Sequence, residues 1–343
     1  MIHSVFYMEK SMNKKKAAKI ITWIIVPLMA SFFILDIISV AVGNNYAARY
    51  EIVGENFDGK NGNDRIHFLN TGNSDCILLE SNGHFALIDS GEGDCNPRRK
   101  TEYHGYEQQV LTYLKKVARS DDGLVHLDFI LGTHYHYDHV GNFAPIIKDD
   151  EIIITKAYFK EYNSVINHKY EDEKWMLNSF YDDILSALKE KDITLIQQIP
   201  ETITFNDFSL SLFNTGYYSD LEDKGANAGS IGIKVTKGEK TAFLAADITG
   251  PSGIEQKLKG TIGHCDLLKI GHHGYYGSSS MSFLKEISPE LCIVTNQQGK
   301  VYPNVKWNLT MFAKTPFYGT YDYNGIIASF TDDNRIILTD NIH

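Results

Sequence analysis

The sequence has few cysteines and no closely spaced cysteine pair. Its 343 residues include four cysteines, Cys76, Cys95, Cys265 and Cys292, and no Cys-x-x-Cys occurs. Four are too few for a disulfide scaffold. Three of them lie in or beside apolar, strand-like runs, so we expect them to be small buried hydrophobic side chains. Cys95 follows in a loop, where the sequence leaves open whether it pairs or stays free.

Internal repeats, low-complexity tracts and an excess of positive charge are also missing. With 12% aromatic and 22% charged residues, the composition is that of an ordinary globular protein, and disorder is not expected. The net charge is −10, and from residue 43 onward 28 basic residues stand against 41 acidic ones. Such a domain repels a polyphosphate at long range, which argues against nucleic acid as its main partner. Bound metal ions would reverse the sign of the electrostatic potential close to them.

Only one apolar run is long enough to cross a membrane. Residues 20–42 carry a single charge, Asp36, and a bilayer core takes about 20 apolar residues. Residues 1–19 carry five lysines and one glutamate, which predicts a cytoplasmic N-terminus and an extracellular remainder. We therefore expect a single-pass membrane anchor at 20–42, followed by a linker at 43–64. A cleaved signal peptide, with secretion of the remainder, is the alternative.

Beyond the linker, residues 65–343 show the pattern of one α/β domain. Three short apolar runs separated by Gly-Asn and Asn-Gly dipeptides predict an antiparallel meander between residues 66 and 88. Helical spacing predicts helices over 106–117 and 175–188, and an apolar run predicts a strand over 152–159. Further strands are expected at 193–199, 208–213, 230–235, 241–246, 267–270, 291–295, 326–330 and 335–338.

The most specific motif is Thr133-His134-Tyr135-His136-Tyr137-Asp138-His139, which follows an apolar run at 127–131. Its His-x-His-x-Asp-His pattern places three imidazoles and a carboxylate on one turn of loop. These groups are usual ligands for Zn, Mn or Fe, and two such pairs can hold two neighbouring ions. A histidine-rich surface loop does not account for an ordered set of four donors. We therefore predict a metal-dependent hydrolase.

Two later strand ends carry the same kinds of side chain. The run 241–246 ends in Asp247, and the run 267–270 ends in Gly271-His272-His273-Gly274. Glycines on both sides of paired histidines permit close approach of the backbone, which suits a metal position. For Asp247, a helix cap or turn is the alternative role.

These motifs resemble the metallo-β-lactamase superfamily. Within it, the segment 74–89 and the run 127–131 resemble the phosphorylcholine esterases of bacterial cell surfaces, and the later motifs also resemble the hydrolase domain of competence DNA-uptake proteins. The resemblance implies an αββα sandwich over residues 65–343, preceded by the transmembrane helix. It also implies one or two divalent ions at the edge of the sandwich. Zinc is the expected ion, with manganese or iron as alternatives.

The resemblance further implies how the ligands divide. One ion takes Asp138, His139 and His273, the other takes His134 and His136, and Asp247 bridges the two. Asp138 and His272 are the expected catalytic residues, His272 facing the substrate phosphate as a hydrogen-bond donor or general acid. An exchange of roles between His272 and His273 is the alternative. Asp89, at the end of a strand, is expected to hold the His134–His139 loop in place without binding the metal itself. A turn residue with no such role is the alternative.

One ligand of the fuller superfamily pattern is missing. Many members supply another histidine to the ion held by His134 and His136, but the only histidine between the first motif and Asp247 is His168. It lies in a polar stretch, and we expect it at the surface. The phosphorylcholine esterases resemble this chain in having Asn-x-x-Ser, here beginning at Asn227. The second ion would then be weakly held, open to water or absent, and Asn227 is either a weak ligand, a substrate contact or a turn residue.

Together these features predict a membrane-anchored, extracellular phosphodiesterase or phosphorylcholine-esterase-like enzyme. Its substrate would be a small-molecule or cell-envelope phosphoester, attacked by water whose pKa two cations lower toward ~7. Aromatic faces that could hold a choline group lie near the motifs, at positions 135, 137, 175, 217, 218, 275 and 276. A nuclease-like hydrolase is the first alternative. A β-lactam or thioester hydrolase and a non-catalytic binding module are less favoured, and the oligomeric state stays open.

Overall fold

The protein is described here from a computed structural model, which covers residues 14–47, 52–53, 64–97, 104–164, 169–217, 224–340 and 342. Two β-sheets lie face to face, with helices on both outer surfaces. The strands are β1 Ile52–Val53, β2 Asp64–Phe68, β3 Cys76–Ser81, β4 His84–Ser90, β5 Val125–Gly132, β6 Ile152–Ile154, β7 Lys156–Phe159, β8 Thr194–Ile196, β9 Thr202–Phe205, β10 Phe208–Phe213, β11 Gly232–Lys237, β12 Lys240–Leu244, β13 Leu267–Lys269, β14 Leu291–Val294, β15 Phe317–Gly319, β16 Ile326–Phe330 and β17 Ile336–Asp340.

Among the described residues, every helix after the first spans 14 residues or fewer. They are α1 Lys14–Ala47, α2 Glu107–Val117, α3 Tyr137–Val140, α4 Phe143–Lys148, α5 Lys169–Trp175, α6 Leu177–Glu190, α7 Ile254–Lys257, α8 Met281–Ile287 and α9 Pro303–Trp307, which continues as a π-helix over Asn308–Ala313. Three single 3₁₀ turns cover Ala226–Gly229, Gly271–Gly274 and Gln298–Lys300.

The first sheet runs in the order β1-β17-β16-β2-β3-β4-β5-β7-β8, with β6 paired to β5, and the second runs β15-β14-β13-β12-β11-β10-β9. Side chains such as Phe68, Phe129, Leu210 and Ile233 point between the sheets and form the central core. Alternating residues of the first sheet, such as Leu87, instead pack under α2, α4 and α6. The second sheet is covered in the same way by α7, α8 and α9. The predicted αββα sandwich is confirmed.

Several boundaries differ from the sequence prediction. The helix expected over 175–188 is α6, which begins at Leu177 because Met176 before it adopts a left-handed conformation with φ of 56°. Helix α5, which ends at Trp175, was not predicted. The expected strand over 152–159 divides at Thr155 into β6 and β7. In the expected linker, helix α1 continues to Ala47, and β1 pairs in parallel with β17. Strands β9 and β15 and the α9–π-helix segment carry no strong sequence signal and were not predicted.

Helix α1 contains a stretch, Lys19–Ser39, that is long and apolar enough to cross a membrane. This is compatible with the predicted membrane anchor and equally with a signal sequence. Most of its large apolar side chains are exposed, Trp23, Phe32 and Phe33 among them. Such exposure of a 21-residue apolar surface is what a helix surrounded by lipid requires.

Parallel pairing brings the candidate site together. Strand β5 lies between the parallel strands β4 and β7 in the first sheet, and β12, β13 and β14 are mutually parallel in the second. Parallel strands end at the same edge of a sheet, so the segments that follow β5, β12, β13 and β14 converge. The segments after β5, β12 and β13 carry the predicted metal ligands, and the segment after β14 begins with Thr295.

Candidate metal centre

The His-x-His-x-Asp-His loop is buried rather than exposed on the surface. It leaves β5 and turns directly into the short helix α3, and His134, His136, Asp138 and His139 are all at least nine-tenths buried. Four polar side chains are costly to bury unless each finds a partner. A histidine-rich surface loop is thereby excluded.

Residues from three distant strand ends meet around the Nε2 atom of His139. The Nε2 atom of His273 lies 3.2 Å away, and Asp247 Oδ1 lies 3.2 Å from His139 Nε2 and 3.3 Å from His273 Nε2. Asp138 Oδ2 is 3.8 Å from His273 Nε2. The structure therefore brings together the four side chains expected to share one ion.

A second group adjoins the first through the other oxygen of Asp247. Asp247 Oδ2 lies 3.7 Å from His134 Nε2, and His134 Nε2 lies 3.2 Å from His136 Nδ1. These three residues form a compact group of potential metal donors. Asp247 thus lies between the two groups, as expected for a bridging carboxylate. His168, expected at the surface, lies outside the described residues.

The hydrogen bonds behind the imidazoles indicate which ring nitrogens face the centre. His139 Nδ1 lies 2.6 Å from Asp89 Oδ2, and His273 Nδ1 lies 3.0 Å from the Thr295 hydroxyl. When Nδ1 carries the hydrogen in both rings, each Nε2 presents a lone pair toward the other at 3.2 Å. Two lone pairs and a carboxylate oxygen at such distances repel each other unless a cation lies between them. The donor set therefore fits a bound metal ion.

The charges around the centre favour a cation as well. Burial would lower the pKa of His139, but the carboxylates of Asp247 and Asp89 outweigh it and raise that pKa well above its usual value. Burial would raise the pKa of Asp247, but His273 and His139 hold it well below its usual value. For His134, burial and the neighbouring His139 lower the pKa, so this imidazole stays neutral and able to coordinate.

Asp75 is a buried residue of the site that the sequence analysis missed. Its carboxylate forms an ion pair with Lys269, accepts a hydrogen bond of 2.5 Å from Thr295, and lies 3.3 Å from His273 Nδ1. Although it groups with His139, Asp247 and His273 as a potential ligand, it contacts the Nδ1 side of the rings and is already bound to Lys269. Asp75 therefore positions His273 rather than coordinating the ion. Its place after Asn73-Ser74, in a turn, gave no sign of this role.

Asp89 lies behind the metal loop, as expected. It accepts hydrogen bonds from the backbone and the hydroxyl of Thr133, at 2.8 and 2.7 Å, besides its contact with His139. Asp89 has φ of 52°, a left-handed backbone conformation that few residues other than glycine adopt. The fold therefore holds this carboxylate in place at a cost in backbone strain.

Glu171 is a second residue that the sequence did not reveal. Its Oε1 lies 3.2 Å from His136 Nε2, and its Oε2 accepts a hydrogen bond of 3.0 Å from the backbone of Ala226. His136 therefore turns Nδ1 toward His134 and Nε2 toward Glu171. The carboxylate lies on α5, a short helix that the sequence did not predict, and no motif marked it.

The two adjacent histidines point in different directions. His273 is fully buried among the ligands, whereas the side chain of His272 is 29% exposed and lines a cavity of about 390 Å³. Both have positive φ, 48° and 50°. At Gly271, a Cβ would lie 2.4 Å from the Ile248 carbonyl oxygen, so the close approach that the flanking glycine was expected to permit is present.

Asn227 faces the same cavity. Its Nδ2 lies 3.3 Å from His272 Nε2, and its buried Oδ1 accepts no hydrogen bond from the described part of the chain. The turn reading is also right, because Asn227 lies in the 3₁₀ turn Ala226–Gly229 that precedes β11. The cavity is completed by His136, Asp138 and Asp247, with Trp175 and Tyr275 as its aromatic walls.

Only part of the expected aromatic cage surrounds this cavity. Tyr135 and Tyr137 are buried and directed away from it, the first donating to the Lys160 carbonyl and the second accepting from the Cys95 backbone. Tyr217 packs on the Lys160 ammonium group elsewhere. Tyr276 lines a neighbouring cavity, and Tyr218 lies outside the described residues. Of the aromatic residues near the motifs, Tyr135, Tyr137 and Tyr217 therefore do not line this cavity, whereas Tyr275 and Trp175 do.

Comparison with known proteins agrees with this geometry. Residues 69–202 match the model of the metallo-beta-lactamase superfamily. Those residues are a metallo-beta-lactamase superfamily domain. The match begins just before β3 and ends at β9, so it includes the His134–His139 loop and the positioning residues Asp75, Asp89 and Glu171. The chain has the metallo-beta-lactamase fold. Asp247 and His273 lie beyond the matched residues, and the structure brings them together with the loop as a candidate His/Asp site for divalent metal ions.

Two curated proteins are similar to parts of the chain. ComE operon protein 3 of Bacillus subtilis is 21% identical over 187 residues, which is 52% of this chain and 21% of that protein. Recombination protein 2 of Haemophilus influenzae is 22% identical over 240 residues, 68% of this chain and 24% of that protein. The chain thus spans between a fifth and a quarter of the length of these relatives.

Several solved structures are also similar to the chain, among them the metallo-beta-lactamase fold protein YhfI. YhfI from Bacillus subtilis aligns with a TM-score of 0.47 and 13% identity, covering 77% of this chain and 98% of YhfI. An isothiocyanate hydrolase from Delia radicum gut bacteria aligns with a TM-score of 0.44 and 12% identity, covering 78% and 99%. Similarity at this level concerns the fold alone.

Proposed function

We propose that the protein is a metal-dependent phosphoester hydrolase. The observation that carries the proposal is the arrangement of His139, His273 and Asp247, whose metal-facing atoms lie within 3.3 Å of one another. Asp247 also lines the adjoining cavity, together with His136 and Asp138. His134, His136 and Asp138 complete the proposed ligand set. Divalent ions bound there would polarise a phosphoryl oxygen and supply an activated water near neutral pH.

The chain's own residues position the substrate and the leaving group. His272 extends into the cavity, where burial lowers its pKa despite the carboxylate of Asp247. Its Nδ1 atom has no hydrogen-bond partner in the described structure, and Asn227 lies beside its Nε2. Both residues are therefore able to contact a phosphoryl oxygen or the leaving oxygen, His272 as the proton donor when protonated. Trp175 and Tyr275 would bind the organic part of the ester, including a quaternary ammonium group.

A panel of substrates tests this proposal. The full-length protein, loaded with Zn²⁺ or Mn²⁺, is assayed with bis-p-nitrophenyl phosphate, p-nitrophenylphosphorylcholine and nitrocefin. We expect hydrolysis of the phosphoesters and none of the β-lactam. Hydrolysis of nitrocefin alone would contradict the proposal. Loss of phosphoester turnover in His272→Ala, with metal content unchanged, would support the role given to His272.

A nuclease-like hydrolase is the second candidate. It is favoured by the similarity to Recombination protein 2 and ComE operon protein 3. The net charge of −10 argues against it, because phosphate contacts supply most of the affinity for nucleic acid. Single-stranded DNA added to the same panel separates the two candidates. Faster turnover of DNA than of the phosphoesters would favour the nuclease.

We further propose that α1 anchors the chain in the membrane, with residues 65–343 as one extracellular hydrolase domain. The exposed apolar surface of Lys19–Ser39 and the lysines that precede it support this proposal. Protease added to intact cells is expected to degrade the domain, and a protected domain would place it on the cytoplasmic side.

A further inference from the structure

The outer end of helix α1 packs on the hydrolase domain along one narrow stripe. From residue 21 to residue 34 every side chain is exposed, but Leu35, Asp36, Ser39 and Val42 are partly or fully covered. This spacing places the four residues on one face of the helix. The surface that covers them is formed by α9 and the π-helix that follows it. Among the helix side chains whose burial is described, this face is therefore covered toward the end of the apolar stretch, and residues 21–34 are not.

An ion pair fixes this contact. Asp36 is the single charge within residues 20–42, and its Oδ1 lies 3.0 Å from the ammonium group of Lys306 on α9. Lys306 is 5% exposed and also donates to the Gly299 carbonyl at 3.3 Å. An unpaired carboxylate at the edge of a bilayer is costly, so a buried lysine supplied by the domain stabilises this position of the helix.

The surface around Lys306 has the composition of a membrane-interface segment. Trp307 and Phe312 pack edge to face with their rings 6.1 Å apart, and Phe312 remains 54% exposed. Met311 beside them is partly exposed, and Lys300 and Lys314 are exposed on either side. Tryptophan is enriched at the level of the lipid headgroups, and lysines near the surface attract anionic lipids.

We propose that this face, formed by Trp307, Met311, Phe312, Lys300 and Lys314, lies on the bilayer surface in the anchored protein. The proposal rests on α1 being a membrane anchor, and its occupant is a lipid surface. Three observations point to it: the face is continuous with the end of the apolar helix, Asp36 and Lys306 hold it there, and its apolar and basic side chains match the bilayer interface.

This placement brings the metal centre close to the membrane. Tyr302, the residue before α9, packs against Tyr275 with the ring centres 5.6 Å apart and donates its backbone N–H to the Gly274 carbonyl. Trp307 lies five residues later, about 8 Å along a helix axis. The cavity wall and the lipid-facing surface therefore belong to one short segment. Phosphoesters carried on membrane lipids are the substrate class that such a site would meet first.

Fluorescence quenching in nanodiscs tests the docking independently of catalysis. The sequence has three tryptophans, so W23F/W175F leaves Trp307 alone in the full-length protein and W175F/W307F leaves Trp23 alone. Nanodiscs contain phosphatidylglycerol and a phosphatidylcholine that is spin-labelled near the headgroup. We expect Trp307 to lose at least about half its emission, as interfacial tryptophans lie within reach of such a label.

Each outcome decides a separate point. Quenching of Trp23 without quenching of Trp307 would overturn the docking while leaving the anchor intact. Absence of quenching at both positions would overturn the anchor and the docking together. Asp36→Asn in the W23F/W175F background is expected to weaken the Trp307 quenching, and unchanged quenching would show that the ion pair does not hold the face in place. Phosphoester turnover, measured in detergent, reports separately on the proposed function.

Discussion

The carboxylate of Asp75 and the ammonium group of Lys269 form an ion pair that is fully buried behind His273. Burial alone would raise the pKa of Asp75, but Lys269 and His273 outweigh it and keep the group ionised. Lys269 also donates to the Ala246 carbonyl at 2.9 Å, directly before Asp247. One lysine on β13 therefore connects the segments that carry Asp247 and His273.

Removing Lys269 should damage both stability and metal binding. Lys269→Met leaves Asp75 as an uncompensated buried charge, which typically costs 3–5 kcal/mol in the free energy of unfolding, so we expect about that loss. Urea unfolding of the variant measures it, and elemental analysis measures the metal content. The matched control is the double variant Asp75→Asn, Lys269→Met, which should recover most of the stability. A single variant as stable as wild type would contradict the account.

Substitution of the two histidines in the Gly-His-His-Gly turn should affect metal binding and activity differently. His273→Ala removes a proposed ligand, so we expect loss of metal and of activity together. His272→Ala leaves the ligand set complete and should keep the metal while kcat falls about 10²–10⁴-fold, the range of general acid catalysis. Metal content and turnover measured on both variants check this. If His272→Ala lost the metal and His273→Ala kept it, the assigned roles would be reversed.

Glu171 should matter for the ion on the His134–His136 side. Without its carboxylate, His136 Nε2 loses its partner at 3.2 Å, and residues that orient a metal-bound histidine typically contribute 10–100-fold in metal affinity or activity. We therefore expect Glu171→Gln to retain one ion and to bind a second one about 10–100-fold more weakly. Titration with Co²⁺, followed by absorbance, resolves the two binding steps. Glu173 lies two residues, or slightly more than half a turn, further along the same helix and is exposed, so Glu173→Gln provides the control variant.

Glu255, away from the metal centre, should make stability depend on pH. It is 3% exposed, and burial raises its pKa to about 7 although it accepts hydrogen bonds from the Ser280 backbone. Between its unfolded pKa near 4.5 and about 7, the unfolded chain releases a proton that the folded protein retains, so stability falls as pH rises. Glu255→Gln removes this loss. The variant should match wild type at pH 4 and exceed it by up to about 3 kcal/mol above pH 7.

Thermal unfolding of both proteins between pH 4 and pH 8 measures this difference. A stability difference that does not change with pH would contradict the raised pKa of Glu255.

The proposed metal ligands were easier to predict from the sequence than the residues that position them. The His134–His139 loop, Asp247 and His273 were predictable because metal chemistry demands particular side chains at strand ends. Asp75, Glu171 and Lys269 were not predictable. A carboxylate in a turn or on a helix, and a lysine within an apolar run, each have many ordinary structural roles. Their role depends on three-dimensional contacts with Nδ1 or Nε2 atoms that no local pattern encodes.

The fold shows a similar division. The strands 208–213 and 326–330 were predicted to the residue, because turn-forming residues such as Asp207, Asn214 and Gly325 bound each run. The start of α6 was placed two residues too early, because the helical spacing of apolar side chains extends back across the left-handed Met176. The packing of Asp36 on Lys306 joins residues 270 positions apart, and only the folded chain brings them together.

The most direct test of the metal centre is elemental analysis of the purified full-length protein beside its Asp247→Asn variant. Because Asp247 lies between both groups of ligands, we expect one or two equivalents of a transition metal in the wild-type protein and a clear loss in the variant. A wild-type protein that binds no transition metal, or a variant that binds as much as wild type, would contradict the account.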